Sequence, residues 1–251
     1  MKRLWGVVVA LGLAWASPGW SQDKEPIRGI GAPCHAISFD GGGRVRVPHS
    51  ESLAGGGPMT IEAWVRPYAA SFDPSQGYPN LIGKRDTSGI YPPWVLGLWK
   101  DGEVYGVSDV YEAPDAQWRH GTVRLPDRAW SHVAVVFDGE RLRFFVNGKL
   151  DAEFASRAMG PPNKEEIIIG QLLNSQQPFP GDVAAVRVSK VARYREGFKP
   201  EARWAADEGT LLLMMFDEGA GESVKDLSSH GNHGRIEGAT WIREAPGCRN
   251  R

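Results

Sequence analysis

Side chains that offer oxygen atoms to a ligand are concentrated in one glycine-rich stretch near the C-terminus. From Asp226 to Asn232 this stretch supplies a carboxylate, an amide oxygen, serine hydroxyls and backbone carbonyls. A hard cation such as Ca²⁺ takes about six to eight oxygen ligands of these kinds. The stretch therefore predicts a calcium site, with Asp217 and Asp40 as further ligands if the chain ends meet. In the alternative interpretation, Asp226 and Asn232 cap turns by hydrogen bonding to the backbone.

Catalysis by carboxylates needs a closely spaced pair, and the sequence pattern predicts none. A retaining glycosidase uses two carboxyl groups about 5 Å apart on one face. Glu62 stands alone in its strand, and Glu165 and Glu166 are adjacent, so they point to opposite faces of a strand. His230 and His233 lack a third ligand at zinc spacing, and no nucleophile-elbow motif occurs. We therefore expect a protein that is not an enzyme and has no catalytic residues.

Aromatic side chains cluster between a long segment and the strands that follow it. The segment spans residues 68–93 and is rich in Pro, Gly, Ser and Asp, a composition typical of binding loops. Apolar sugar faces stack on indole and phenol rings, so exposed aromatic residues here would bind carbohydrate. The candidate residues are Tyr78, Tyr91, Trp94, Trp99, Tyr105, Tyr111 and Trp118. In the alternative interpretation these rings fill the core, which suits Trp94 and Trp118 better than Tyr78 and Tyr91.

Residues 1–21 have the pattern of a secretory signal peptide. A basic start is followed by an apolar run over residues 4–16 and then by small residues. The run is shorter than the roughly 20 residues that cross a bilayer, and no later segment is long enough for a stable membrane span. Cleavage after Ser21, or after Ala16, would send the mature chain to the periplasm, the cell envelope or the medium. An uncleaved N-terminal anchor is the alternative.

The rest of the chain divides into a short linker over residues 22–33 and one folded domain over residues 34–248. Removal of the leader takes two of the 29 basic residues and none of the 30 acidic ones, so the mature net charge is about −3. That balance argues against nucleic acid or an anionic membrane as a partner bound through bulk charge. Cys34 and Cys248 lie near the two ends of the domain, and in an exported chain they predict one intramolecular disulfide. Free thiols or a bridge between chains are the alternatives.

Apolar and polar residues alternate with a period of two through most of the domain, which predicts an all-β fold. About a dozen short strands separated by turn signals predict an antiparallel two-sheet β-sandwich, because each strand has one face to bury. Trp64, Trp130 and Trp241 are expected to fill the space between the sheets. Helical periodicity is nearly absent, apart from one short turn at residues 200–206. Turn residues predict hairpins at residues 40–43, 100–102, 138–140 and 147–148.

Five segments together resemble the bacterial LamG-like jelly-roll domains, which belong to the concanavalin A-like lectin/glucanase superfamily. These segments are AISFDGGGRVRVPHSESL, MTIEAWVRP, AWSHVAVVFDGERLRFFVNGKL, IIIGQ and PGDVAAVRVSKVARY. The resemblance covers residues 34–241 and implies a jelly-roll sandwich that binds an extracellular ligand, in many relatives with calcium. Ala184 and Ala185 stand where the family often has an acidic pair. A calcium site that uses those two carboxylates is therefore absent.

The stretch RVSKVARYREGF, which occurs in a subset of these domains, is expected to have a structural role. Arg187, Arg193, Tyr194 and Phe198 of this stretch would cover an edge of the sandwich. His132, which lies in a predicted strand, is expected to be a packed and hydrogen-bonded residue rather than a base.

Together these features predict a secreted, non-enzymatic module that binds an extracellular glycan or protein through loops at one edge. Carbohydrate is the preferred ligand because of the aromatic cluster, and calcium is the one cofactor expected. One alternative is a cell-envelope adhesion or assembly module that binds protein. Another is a glycoside hydrolase whose carboxyl pair the sequence does not reveal. The sequence does not specify the oligomeric state.

Overall fold

The computed structural model describes residues 34–39, 42–68, 79–84, 94–99, 102–107, 118–156, 162–171 and 178–246. These residues form sixteen strands and one turn of 3-10 helix at Glu51–Leu53. The strands are β1 (Ala36–Ser38), β2 (Arg44–Val47), β3 (Met59–Pro67), β4 (Asn80–Lys84), β5 (Val95–Leu98), β6 (Glu103–Val107), β7 (Trp118–Arg124), β8 (Ser131–Phe137), β9 (Arg141–Val146), β10 (Lys149–Ala155), β11 (Ile167–Ile169), β12 (Gly181–Ser189), β13 (Thr210–Met214), β14 (Ser223–Val224), β15 (Gly234–Glu237) and β16 (Thr240–Ile242).

The strands form two antiparallel sheets of eight strands each. Sheet A has the order β10-β9-β8-β3-β12-β1-β16, with β13 also paired to β12, and sheet B has the order β14-β15-β2-β11-β4-β5-β6-β7. Alternate residues of each strand face the opposite sheet and bury their side chains there, as Ile61, Phe144, Val45 and Leu96 do. This arrangement confirms the predicted all-β sandwich.

Strands β8, β9 and β10 form the predicted meander. The turn between β9 and β10 is the predicted Asn147-Gly148 pair, in which both residues have a positive φ, of 49° and 74°. That geometry is the one a two-residue type I′ turn requires. The carboxylate of Asp138 caps the turn between β8 and β9 by accepting two backbone hydrogen bonds. The pairing of β5 with β6 confirms the hairpin at residues 100–102 as well.

The hairpin predicted at residues 40–43 is wrong, because β1 and β2 belong to different sheets. β1 pairs with β12 and β16 in sheet A, whereas β2 pairs with β11 and β15 in sheet B. The chain from β15 to β16 changes sheets at the same corner, so the two connections pass close together. A Cβ atom at Gly43 would lie 2.4 Å from the backbone nitrogen of Ala239. The glycines there permit a close backbone crossing rather than a hairpin turn.

The interpretation of residues 68–93 as one loop is wrong at its centre, where Asn80–Lys84 forms β4. This strand pairs with β11 and β5 and lies in the middle of sheet B. Its sequence lacks a clear alternation because Gly83 interrupts it and Lys84 ends it. The Lys84 side chain is nevertheless fully buried, and its Nζ donates a hydrogen bond of 2.8 Å to the Glu165 carbonyl. Burial lowers the pKa of Lys84 to about 8.

Sheet A is covered on its outer face by residues 190–206, which we call the cover. Every residue of β8 and β12 is buried as a result. Phe198 and Tyr194 of the cover pack on apolar outward-facing residues of β8 and β9. The cover therefore lies on a face of the sandwich. The prediction that this stretch covers an edge of the sandwich is wrong. The helical turn expected at residues 200–206 is also wrong, since that stretch is irregular.

The tryptophans on or next to the strands of sheet A pack against both faces of this sheet. Trp64 is buried, but it lies under the cover rather than between the sheets, because it alternates with inward-facing residues of β3. Its Nε1 donates a hydrogen bond of 2.9 Å to the Glu201 carbonyl of the cover. Trp130 packs at the border of this outer cluster, and the guanidinium of Arg66 lies over its ring. Trp241 packs against the inter-sheet core, as expected.

A buried cluster of polar residues ties the cover to sheet A. Glu62 is fully buried, and its Oε1 accepts a hydrogen bond of 2.7 Å from Arg187. Its Oε2 lies 3.0 Å from Nε2 of His132 and accepts a hydrogen bond of 2.9 Å from the Tyr194 hydroxyl of the cover. Burial alone would raise the pKa of Glu62, but His132 and Arg187 together hold that pKa below its ordinary value. His132 is packed and hydrogen-bonded in this cluster, in agreement with its predicted role.

The Asp151 carboxylate connects the two sheets where their edge strands β10 and β7 meet. Asp151 lies at a bulge of β10, the edge strand of sheet A, and accepts hydrogen bonds from the backbone of β7 at the edge of sheet B. The donors are the Thr122 and Val123 nitrogens, at 3.0 and 3.1 Å, and the Thr122 hydroxyl, at 2.8 Å. A Cβ atom at Gly121 would lie 1.8 Å from this carboxylate. Asp151 thus satisfies donors of an edge strand that would otherwise be free to pair with another chain.

We expect the substitution Glu62→Gln to lower the free energy of unfolding by about 3 kcal/mol at neutral pH, because it leaves the Arg187 charge buried without a counter-charge. Since the pKa of Glu62 is lowered in the folded state, its contribution is present above the ordinary glutamate pKa and is lost as the pH falls below it. The difference between wild type and variant should therefore shrink in acid. Urea unfolding at neutral and acidic pH measures both effects.

The control for this substitution is Glu222→Gln, which removes an exposed ion pair with Arg235. We expect that change to cost less than about 1 kcal/mol at either pH. Equal losses for the two variants would contradict the role assigned to the buried cluster.

Candidate functional site

A row of residues crosses four neighbouring strands on the outer face of sheet B. The registers pair Asn80 with Gly97, Gly97 with Tyr105, and Tyr105 with His120. Gly97 lies between two leucines that face the core, so the row lies on the opposite face of the sheet. Strands are about 4.8 Å apart, which makes the row about 14 Å long. Such a row is longer than a single sugar ring.

Burial changes along the row. Asn80 is fully buried and Gly97 is buried, whereas His120 is half-buried at the other end. Gly97 carries no side chain, so the row has no side chain above the sheet at that position. The row therefore runs from a buried end at Asn80 to a half-buried end at His120.

Trp99 follows β5 and provides an aromatic surface beside the row. Its ring stacks on the His120 imidazole with a centroid distance of 4.9 Å and an interplanar angle of 9°. The hairpin holds its backbone, since Trp99 N donates to the Glu103 carbonyl at 2.6 Å and Gly102 N donates to the Trp99 carbonyl at 2.7 Å. Trp99 itself is half-buried. A strand end and a tight turn thus fix the position of this ring.

Two polar residues that sequence reasoning did not identify have their backbones near strands of the row. Glu103 begins β6 beside Trp99, and its Oε1 lies 3.5 Å from Nε of Arg124. Gln171 follows β11 and lies next to β4, because Gly170 N donates a hydrogen bond of 2.7 Å to the Leu81 carbonyl. Gln171 is 3% exposed. We call the row, Trp99, Glu103 and Gln171 together the transverse site.

The other predicted aromatic residues have different positions. Trp94 is 2% exposed and packs in the inter-sheet core, in agreement with the alternative in which it is structural. Trp118 begins β7 and pairs with the last residue of β6, while Tyr105 lies within the row. Tyr78, Tyr91 and Tyr111 lie outside the described residues. Binding of a ligand by these residues stays a prediction.

The oxygen-rich stretch near the C-terminus is tightly hydrogen-bonded. The Asp226 carboxylate accepts hydrogen bonds from the backbone nitrogens of Leu213, Ser228 and Asn232, at 2.9, 2.9 and 2.8 Å, and from the Ser228 hydroxyl at 2.6 Å. The Asn232 amide donates to the carbonyl of Leu211 at 2.8 Å. These contacts are those of the turn-cap alternative, because donors already surround the carboxylate.

Nothing in the described geometry brings the four predicted calcium ligands together. Asp217 forms an ion pair with Arg203, and Asp40 lies outside the described residues. The described residues also contain no group of three or more His, Cys, Asp or Glu placed to hold a metal ion. The N–H donors around Asp226 do not fit a cation, so no step of recognition is assigned to calcium. Calcium binding stays a prediction.

Several further expectations concern the chain ends. Cys34 is half-buried directly before β1, and no cysteine of the described residues is free. Its pairing with Cys248 stays a prediction, since Cys248 lies outside the described residues. The leader and the linker over residues 22–33 lie outside them as well. Within the described ranges no helix is long and apolar enough to cross a membrane.

The acid and base of the buried cluster cannot act on a substrate where they lie. Glu62 and His132 are both fully inaccessible to solvent, and Trp204 and Phe198 of the cover pack edge-on against the His132 ring. A general base must reach the proton that it removes. This pair therefore has a structural role, and the transverse site is the better candidate for ligand contact.

For the turn-cap interpretation we expect Asp226→Asn to lower the free energy of unfolding by about 2 kcal/mol, because the new amide group faces N–H donors. Thermal unfolding should be the same with calcium and with a chelator. Asp217→Asn, which removes a partly exposed ion pair, is the control and should have an effect below about 1 kcal/mol. A calcium-dependent rise in the unfolding temperature of wild type that Asp226→Asn abolishes would favour a calcium site instead.

Two solved structures have a fold similar to that of this chain. A protein from Bacteroides ovatus, to which carbohydrate binding is provisionally ascribed, is 20% identical with a TM-score of 0.63 over 87% of this chain and 62% of that chain. A heptameric SAP-like pentraxin from Limulus polyphemus is 14% identical with a TM-score of 0.51, over 69% of this chain and 88% of that one. Both likenesses show the fold.

The family is shown by a sequence profile. A comparison with curated proteins finds no match. The profile described as the concanavalin A-like lectin/glucanases superfamily matches residues 39–196, more than half of the chain. The chain therefore belongs to the concanavalin A-like lectin/glucanase superfamily.

Proposed function

We propose that this protein is a secreted, non-enzymatic module that binds carbohydrate at the transverse site. The observation that carries the proposal is the stack of Trp99 on His120, two half-buried rings beside the half-buried carboxylate of Glu103. Sugars present apolar faces that stack on aromatic rings and hydroxyl groups that hydrogen-bond to amides and carboxylates. The transverse site combines both kinds of group on one face.

The position of the site on strands also supports binding. Glu103 and His120 belong to strands whose pairing fixes their backbones, so little order is lost when a ligand contacts them. Gly97 adds no side chain to this face of the sheet. These features are typical of a preformed recognition surface.

The relatives support the same function. The Bacteroides ovatus protein has carbohydrate binding provisionally ascribed to it, and this chain spans 62% of its length. The predicted signal peptide and the predicted disulfide are consistent with an extracellular glycan as the ligand. Secretion, to the periplasm, the cell envelope or the medium, is part of the proposal.

The non-enzymatic part of the proposal rests on the carboxylates. A glycosidase needs two carboxyl groups that flank the scissile bond. Glu103 is the one carboxylate that the described residues contribute to the transverse site, and it already lies next to Arg124. Glu62, the other strand glutamate considered, is sealed beneath the cover. Binding without bond cleavage is the function that this arrangement supports.

A glycan array followed by titration calorimetry tests the proposal. We expect Trp99→Ala to weaken binding of the recognised glycan by about tenfold or more, because loss of a stacking ring removes roughly 1.4 kcal/mol or more. Trp130→Ala, which removes a half-buried ring at the other sheet, is the matched control and should bind like wild type. Thermal unfolding of both variants verifies that they are folded.

Three results would contradict the proposal. Equal binding by the Trp99 and Trp130 variants would place the ligand elsewhere on the protein. No binding to any glycan, together with capture of a defined envelope protein, would favour the adhesion alternative. Release of sugar from a polysaccharide panel would identify the protein as a hydrolase.

A further inference from the structure

The polar atoms of the transverse site that lack a partner are acceptors. Glu103 Oε2 and Gln171 Oε1 are both buried, and neither has a hydrogen-bond donor among the described residues. An acceptor buried without a donor raises the free energy of the protein, so such atoms are uncommon away from functional sites. A ligand that carries donors would satisfy them.

Glu103 can accept hydrogen bonds but cannot donate them. Its Oε1 lies 3.5 Å from Nε of Arg124, which leaves Oε2 as the unsatisfied oxygen. An ionised carboxylate has lone pairs on both oxygens and no proton to offer. The group that meets Oε2 must therefore supply an O–H or an N–H.

His120 presents a third acceptor beside the stacked ring. Its Nδ1 lies 2.8 Å from the Gly121 carbonyl, which can only accept, so Nδ1 carries the proton of this hydrogen bond. In the neutral imidazole the lone pair then lies on Nε2. Nε2 of His120 can therefore accept a hydrogen bond from a ligand, as Glu103 Oε2 can.

The cationic side chains of β7 have partners within the protein. The guanidinium of Arg119 lies 5.3 Å from the centroid of the Phe154 ring, and Arg124 lies next to Glu103. The charge of Arg124, whose side chain is 66% exposed, is opposed by the carboxylate of Glu103. The described residues of β7 therefore do not form the arginine fork that typically recognises a carboxylate, sulfate or phosphate.

We infer that the transverse site selects glycans that carry hydroxyl or amino groups and discriminates against glycans with carboxylate, sulfate or phosphate groups. This inference rests on the proposed function and names its ligand class. An anionic group offers acceptors only, so it would face Glu103 Oε2 without forming a hydrogen bond to it, whereas the Gln171 amide also has an N–H₂ group to offer. A neutral sugar hydroxyl can donate to Glu103 Oε2 and to Gln171 Oε1. Discrimination therefore results from the mismatch of acceptors as well as from charge.

The test compares glycans that differ only in the acidic group. Length-matched oligosaccharides of galactose and galacturonic acid, and of glucose and glucuronic acid, are titrated calorimetrically into the full chain. For the pair that binds, we expect the acidic member to bind at least about tenfold more weakly than the neutral one. Raising the salt concentration should reduce this ratio only in part, since salt screens distant charges more than direct contacts.

A substitution at Glu103 separates the effect of direct contact with this carboxylate from the effect of the protein's overall charge. Glu103→Gln keeps the shape of the side chain and adds an amide N–H₂ donor, so the ratio between acidic and neutral glycans should fall to about threefold or less. Glu166→Gln is the matched control, because Glu166 lies on the same sheet and pairs with Arg46 at 2.7 Å, away from the row. The control should keep the wild-type ratio.

Each outcome decides between distinct conclusions. Equal or tighter binding of the acidic glycans would overturn the inference and leave the proposed function intact. A ratio that falls equally in both glutamine variants would assign the discrimination to overall charge and overturn the role of Glu103. No binding of either member of any pair, with no binding on the array, would overturn the proposed function and the inference together.

Discussion

A carboxylate removed from water must be matched by donors, and Glu62 imposes this constraint on sheet A. Its two oxygens contact Arg187 of β12, His132 of β8 and Tyr194 of the cover. Because Tyr194 comes from outside the sheet, the needs of Glu62 can be met only when the cover lies over the outer face. The same contacts close that face to ligands along β3, β8 and β12. The buried charge of Glu62 therefore excludes the outer face of sheet A, along these strands, as a ligand-binding surface.

The outer face of sheet B carries two different kinds of polar surface. At one end Arg44 and Arg46 of β2 form ion pairs with Glu237 and Glu166, so these groups satisfy one another. At the other end the transverse site has amides, a carboxylate and stacked rings, with two acceptors left unsatisfied. A surface that satisfies its own groups offers little binding energy to a partner. Recognition is therefore assigned to the end of the sheet where hydrogen bonding is incomplete.

Sequence patterns predicted the sandwich, the family and Trp99 of the site, because alternation, Asx-Gly turns and aromatic clusters are local signals. They failed at the 40–43 turn, since the same glycine signal serves a hairpin and a crossing between sheets. They also missed β4, where Lys84 is buried in the core against the usual pattern. Glu103 and Gln171 escaped notice because the pairing of β6 and the hydrogen bond from Gly170 to Leu81 bring them near the row, which no spacing along the chain reveals.

The unsatisfied acceptors of the transverse site have a further consequence for how binding energy arises. Each buried acceptor without a donor raises the free energy of the unliganded protein by about 1–3 kcal/mol. The pairing of β6 with β7 holds Glu103 in place, so the protein cannot relieve this penalty by turning that strand away. A ligand hydroxyl that donates to such an atom recovers the penalty, while the Trp99 ring supplies contact area that every sugar shares. Under the proposed function, affinity comes from the Trp99 ring and selectivity from the unsatisfied acceptors.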